Sequence, residues 1–243
     1  MRFTESNNKI TFIKDNHLFF DDYYDEPVEN LQNILLSKSI DIDLTCIKYI
    51  TFGIKFNQLV NNLPDSILGI KFGYSFNQPV NNLPQNLTSL EFGDCFNQPI
   101  YDLSNNLTYL KFGNSFNQPL FNLPNNLTYL EFGENYYHCV DYLPKTLEIL
   151  IFSYEKSNFE KYQPSGTYNG SKIDNSVLYV GKIKKIYYTL NNLPYNLKEL
   201  QLNEKYLKNK VENLPIFLSE LRIPEKLKNM IDKIPFGCNI TYM

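Results

Sequence analysis

The sequence predicts a β-rich solenoid, a stack of about nine short coils of 20–22 residues. Each coil is expected to hold one short parallel strand and an irregular convex side. Three observations predict this. From Ile47, five consecutive blocks share one spelling: IKYITFGIKFNQLVNNLPDS, ILGIKFGYSFNQPVNNLPQN, LTSLEFGDCFNQPIYDLSNN, LTYLKFGNSFNQPLFNLPNN and LTYLEFGENYYHCVDYLPKT. Large apolar residues fall at one fixed spacing, Phe52, Phe72, Phe92, Phe112, Phe132 and Phe152 in one series and Leu63, Leu83, Leu103, Leu123 and Leu143 in another. Alanine and tryptophan are absent, while asparagine, tyrosine and phenylalanine are abundant, which favours strands and turns over helices. A unit this short cannot bury its own apolar face, so identical units must stack.

Residues 1–44 show no repeat and read as an N-terminal cap, a hairpin plus a short helix. Ile10 to Ile13 and His17 to Phe20 flank Lys14-Asp15-Asn16 as two strands flank a turn, and Val28, Leu31, Ile34 and Leu35 fit one helix face. Such a cap covers the open sheet edge of the first coil. Residues 45–243 read as the solenoid. In the coil that begins at Leu87, the spacing of Leu87, Leu90 and Phe92 places a short strand near Glu91. Gly93 marks a place where a Cβ would obstruct the backbone. Phe96-Asn97-Gln98-Pro99-Ile100 turns the chain away, and Pro99 keeps the return extended or turn-like. Twenty residues leave no room for a crossover helix. The column Asn57, Asn77, Asn97, Asn117 is expected to satisfy backbone groups of neighbouring coils rather than to bind a ligand.

Stacking places Lys71, Glu91, Lys111 and Glu131 in one outward column of alternating sign. Alternation favours register control, each pair contributing about 0.2–1 kcal/mol. Tyr109 and Tyr129 run beside it, with Tyr74, Asp94, Asn114 and Glu134 just past the glycine. Tyr74, Glu91, Asp94, Tyr109, Lys111, Tyr129, Glu131 and Glu134 are therefore the candidate partner-binding residues, because exposed tyrosines among mixed polar groups suit protein recognition. The competing reading is that a tyrosine-rich composition merely decorates this face.

Degenerate coils continue the spacing at Leu197, Leu200 and Leu202 and at Leu218, Leu221 and Ile223, with a shortened one ending near Ile240. Leu178-Val180-Gly181 reads as the strand of an intermediate coil. Between Phe152 and Val180 about eight residues are inserted, so residues 153–172 are expected to project as a loop, either functional or neutral.

A net charge of −3 leaves no basic footprint for nucleic acid or an anionic membrane, and no apolar run is long enough to span a bilayer. The first residues lack a secretory h-region, and Cys46, Cys95, Cys139 and Cys238 are dispersed like reduced thiols, so the expected location is cytoplasmic. The sequons at Asn86, Asn106 and Asn126 are by-products of the repeated NLT. His17 and His138 are each isolated from a metal-ligand cluster, Asp141 near His138 making only a single pair, and Asp21-Asp22 reads as solvated surface. No nucleophile elbow, phosphate loop or dinucleotide fingerprint appears. Catalytic, cofactor-binding and metal residues are expected to be none, and the chain is expected to be a non-enzyme.

The core Phe76-Asn77-Gln78-Pro79-Val80, Phe96 to Ile100 and Phe116 to Leu120, followed by N-L-P and L-x-x-L-x-F-G, resembles the FNIP repeat. The likeness is looser at Phe56 to Val60 and broken at Tyr136-Tyr137-His138-Cys139-Val140, and covers residues 47–152. That family is similar to the leucine-rich repeats and typical of social amoebae and of giant DNA viruses infecting amoebae. The resemblance implies a leucine-rich-repeat-like fold and a scaffold for protein–protein interaction, with a host protein as partner and host cytoplasm as location if the chain is viral. Some viral members begin with an F-box, which residues 1–44 do not match. The alternative function is a substrate-recognition subunit that docks to a ubiquitin ligase through its N-terminal segment. The expected state is a monomer whose partner is an unidentified protein, with neither nucleic acid nor membrane as a partner.

Overall fold

The computed structural model describes residues 10–37, 43–138, 140, 142–153, 190, 192–203 and 210–243. Eleven strands form one sheet in strict chain order. β1 (Ile10–Lys14) and β2 (His17–Phe20) form an antiparallel hairpin, its turn made by Asp15 and Asn16 with positive φ. A helix, α1 (Leu31–Ser37), and a single 3-10 turn (Leu44–Cys46) lead to β3 (Tyr49–Thr51). Then follow β4 (Gly69–Lys71), β5 (Ser89–Glu91), β6 (Tyr109–Lys111), β7 (Tyr129–Phe132), β8 (Ile149–Phe152), β9 (Glu199–Gln201), β10 (Glu220–Ile223) and β11 (Asn239–Tyr242). From β2 to β11 every pairing is parallel, and from β3 to β8 the register is a constant 20 residues, as in Ile50↔Ile70↔Leu90↔Leu110↔Leu130↔Leu150. Among the described residues no helix is long and apolar enough to cross a membrane.

The register aligns the core. Two phenylalanine stacks run along the axis, one through Phe52, Phe72, Phe92, Phe112, Phe132 and Phe152, the other through Phe56, Phe76, Phe96 and Phe116. Ring centroids are 3.8 Å apart within a coil (Phe92–Phe96) and 5.5 Å between coils (Phe92–Phe112), with interplanar angles of 12° and 5°. Offset stacking of this kind adds about 0.5–1.5 kcal/mol per pair to the burial of the rings.

The recurring glycine is required by close approach. A Cβ on Gly93 would lie 2.0 Å from the Gly73 carbonyl oxygen, and Gly73 stands in the same relation to Gly53. Where serine replaces glycine, at Ser153, the ladder runs one pair further, through Phe132↔Phe152, and the Ser153 N–H donates to the Phe132 carbonyl. The Ser153 hydroxyl donates to Glu131 Oε1 (2.8 Å).

Side chains complete the hydrogen bonding where no ladder exists. Asn97 Oδ1 accepts from the Asn117 N–H (2.9 Å) and from Gln118 Nε2 (3.1 Å), and Asn57 and Asn77 do the same for the coils that follow them. Thr88, Thr108 and Thr128 hydroxyls each donate to the carbonyl of the residue one coil back. Asn86, Asn106 and Asn126 amides donate to turn carbonyls of the preceding coil.

Two expectations need revision. The N-terminal segment is itself the first coil, not only a lid. Leu18 pairs with Ile50, Phe20 stacks on Phe52, Tyr24 on Phe56, and Asp25 Oδ1 accepts from Asn57 N–H and Gln58 Nε2 as an asparagine does elsewhere. Asp21 and Asp22 belong to this coil: Asp21 Oδ1 accepts from Tyr23 N–H and Asp22 Oδ1 from Ile54 N–H. The motif that sequence reads as broken keeps its geometry, since Tyr136 continues the Phe116 stack at 6.0 Å and His138 Nε2 reaches the Asn117 carbonyl that a glutamine would contact. Among the described residues β8 pairs directly with β9 at an offset of 50 residues (Leu150↔Leu200). The strand expected at Leu178-Val180-Gly181 and the loop expected at 153–172 lie outside the described residues, apart from Ser153.

Candidate functional site: the outward sheet face

Strand alternation turns one residue of each rung inward and its neighbours outward. On β5 to β8 the two outward columns are Ser89, Tyr109, Tyr129, Ile149 and Glu91, Lys111, Glu131, Ile151. The Tyr109 and Tyr129 rings stack at 4.4 Å and 15°. Beside them Lys71 pairs with Glu91 (2.9 Å) and Lys111 with Glu131 (3.3 Å). Glu131 is the hub, because it also accepts from the Tyr129 hydroxyl and from Ser153 Oγ (2.8 Å). Its side chain is only 12% exposed, so this carboxylate is committed within the protein.

The electrostatics follow from that crowding. Burial and then the Glu131 carboxylate push the Tyr129 phenol well above its ordinary range. Burial, then Glu91, raise Tyr109. Burial disfavours the Lys111 ammonium, but Glu131 outweighs it and the net shift is upward. Both tyrosines are thus neutral hydrogen-bonding groups on a half-buried apolar platform, chemistry suited to contact rather than to proton transfer.

The remaining candidates stand apart. Tyr74 is 56% exposed across the glycine corner. Asp94 Oδ1 accepts from Asn114 N–H, and Asn114 Oδ1 from Glu134 N–H, so this column also links coils. The eight sequence-derived candidates therefore divide into one contiguous cluster (Glu91, Tyr109, Lys111, Tyr129, Glu131) and one separate column (Tyr74, Asp94, Glu134). Sequence reading omitted Ile149, Ile151 and Ser153. Aligning the block after Lys145 with its predecessors puts both isoleucines in the outward columns.

An open groove of about 720 Å³ runs across successive coils beside the sheet, lined by the Asn86, Asn106, Asn126 and Thr88, Thr108, Thr128 columns. Each of these amides donates one proton, and each threonine its hydroxyl proton, to a backbone carbonyl of a neighbouring coil. Both histidines have structural contacts, His17 Nε2 with Thr51 Oγ1 (2.8 Å) and His138 with Asn117. No group of three or more His, Cys, Asp or Glu among the described residues is arranged to hold a metal ion. Cys139 and Asp141 lie outside the described residues.

A single sheet, parallel from β2 to β11, one short strand per coil, aromatic columns inside and a polar–aromatic face outside define a leucine-rich-repeat-like solenoid. The FNIP repeat family model matches residues 56–95, 76–102, 96–135 and 116–155, so this stretch of the chain is similar to FNIP repeats. Among solved structures, the crystal structure of CroV588, a novel circular LRR protein, is similar to 95% of this chain at 24% sequence identity and a TM-score of 0.42. The chain spans 41% of that protein's length. No curated protein matches the chain.

Proposed function

We propose that this protein is a cytoplasmic scaffold that recognises another protein through its outward sheet face and acts by binding, not by catalysis. The observation that carries this is the contiguous, partly exposed platform of stacked Tyr109 and Tyr129 with Ile149 and Ile151, which no other described segment covers, beside the Lys111–Glu131 pair. Amphipathic aromatics flanked by polar groups are the usual anchors of protein interfaces. Free Cys46, Cys95 and Cys238 support a reducing compartment. Residues 17–37 build the first coil, which gives the ligase-docking alternative no support.

The test is affinity purification from the native cell with the wild type and with the double variant Tyr109→Ala/Tyr129→Ala. The expected result is loss of a partner recovered by wild type, with an unchanged circular dichroism spectrum. A variant that folds and keeps every partner removes the face from consideration.

A further inference from the structure

The turn corners change character along the solenoid. Before each strand from β3 to β11 a backbone N–H closes the corner on the carbonyl three residues earlier, as in Leu87→Pro84, Leu197→Pro194, Leu218→Pro215 and Cys238→Pro235. The residue after that carbonyl is Asp65, Gln85, Asn105, Asn125 and Lys145 in the earlier coils, but Tyr195, Ile216 and Phe236 in the last three. Phe217 adds to the second of these. Tyr195 is 57% exposed, Ile216 76%, Phe217 60% and Phe236 fully so. One coil apart on consecutive rungs, they make a continuous apolar strip where the same corners are elsewhere polar.

The strip runs into the last strand. β11 is bonded to β10 on one side and has no strand partner on the other among the described residues, and Ile234, Tyr242 and Met243 are exposed around it. The first edge is blunted by a hairpin with an irregular register between Ile10 and Phe12. β11, Asn-Ile-Thr-Tyr, carries no charge, proline or bulge, the usual devices that keep an edge from pairing.

We propose that this end joins two copies of the chain, β11 pairing antiparallel with β11 of the second copy about a twofold axis. Such pairing is isologous, so one uncharged strand serves both sides. It brings the Phe236 end of each strand against the Tyr242–Met243 end of the other and covers both apolar corners. The six exposed side chains (Ile216, Phe217, Ile234, Phe236, Tyr242, Met243) offer roughly 700 Å² per copy, close to the ~800 Å² per partner of a stable interface. Basic and acidic residues nearly balance over the described part of 190–243, which offers no attraction to an anionic membrane or to a highly charged partner. The dimer replaces the monomer expected from sequence, and it leaves the face of β5 to β8 free.

Light scattering on the eluting 243-residue chain, from about 1 to 100 µM, tests the proposal. The expected result is twice the chain mass at the upper concentrations. Phe236→Glu gives up no packing within a copy. Tyr242→Pro removes an N–H from a position that alternates with the Asn239 and Met243 N–H groups turned to β10. Each is expected to return the monomer mass with an unchanged circular dichroism spectrum, whereas Phe121→Glu, exposed elsewhere on the solenoid, is expected to leave the dimer intact. A monomer throughout the range overturns the proposal, as does a dimer indifferent to both Phe236→Glu and Tyr242→Pro. A monomer that instead sediments with phosphatidylserine vesicles, and loses that with Phe236→Glu, makes the strip a membrane contact and also overturns it.

Discussion

Gly93 and Tyr24 show how far a single atom matters in a stack of coils. At Gly93 the neighbouring carbonyl occupies the space a methyl group needs, so Gly93→Ala is expected to destabilise by about 3 kcal/mol or more, read from the denaturant midpoint. Gly237 is the contrasting case. Its φ is +80° but nothing lies within 4 Å of a Cβ, so Gly237→Ala should cost only about 1 kcal/mol of backbone strain. Tyr24 is buried in the phenylalanine stack with no hydrogen-bond partner for its hydroxyl among the described residues. Burial, with Glu26 nearby, pushes its pKa from 10.0 up to about 12. A phenol neutral in the folded state and ionised in the unfolded one contributes stability that is full below pH 10.0 and is lost as the pH rises through about 12. Tyr24→Phe is expected to be as stable as wild type at pH 7 or up to ~1 kcal/mol more so, with a shallower loss above pH 10.0. A steep loss of stability in that variant at neutral pH means the hydroxyl has a partner.

Within one coil, the amide column decides whether the irregular return can stack at all. Asn97 supplies an acceptor to a backbone N–H and to Gln118, and Asp25 performs the same task in the first coil. Asn97→Asp is therefore expected to stay within about 1 kcal/mol of wild type at pH 7. Asn97→Ala strands the Asn117 N–H and should cost about 1–3 kcal/mol. Equal losses in thermal or denaturant unfolding would show that the side chain acts by shape alone. The inward apolar spacing, the glycine column and the structural role of the asparagines were legible in sequence, because each has a local cause repeated at a fixed interval. The glutamine half of the amide ladder was not, because nothing in FNQP says which coil Gln98 reaches. The first coil was hidden for a related reason. Leu18, Phe20, Tyr24 and Asp25 sit 32 residues from Ile50, Phe52, Phe56 and Asn57, with α1 lengthening the return.

Across the molecule, stability is a sum of coils and the contacts between neighbours. A cavity in the middle cannot be closed by coils held in register on both sides. Phe92→Ala is accordingly expected to cost about 3–5 kcal/mol in denaturant unfolding. Removing residues 1–46 uncovers Phe52 and Phe56, now under Phe20 and Tyr24, and should lower the unfolding midpoint and promote association. An unchanged midpoint would mean that the first coil contributes nothing to the stack. By itself the sequence determined the solenoid, its inward columns and the glycine contact, since a strict period leaves one way to bury phenylalanine and leucine. Only the tertiary structure decided that β8 meets β9, that Asp25 and His138 stand in for the repeat's amides, and that Tyr109, Tyr129, Ile149 and Ile151 share one face. Those are pairings between segments up to 50 residues apart, set by which edge finds which partner, and local spacing carries no record of that choice.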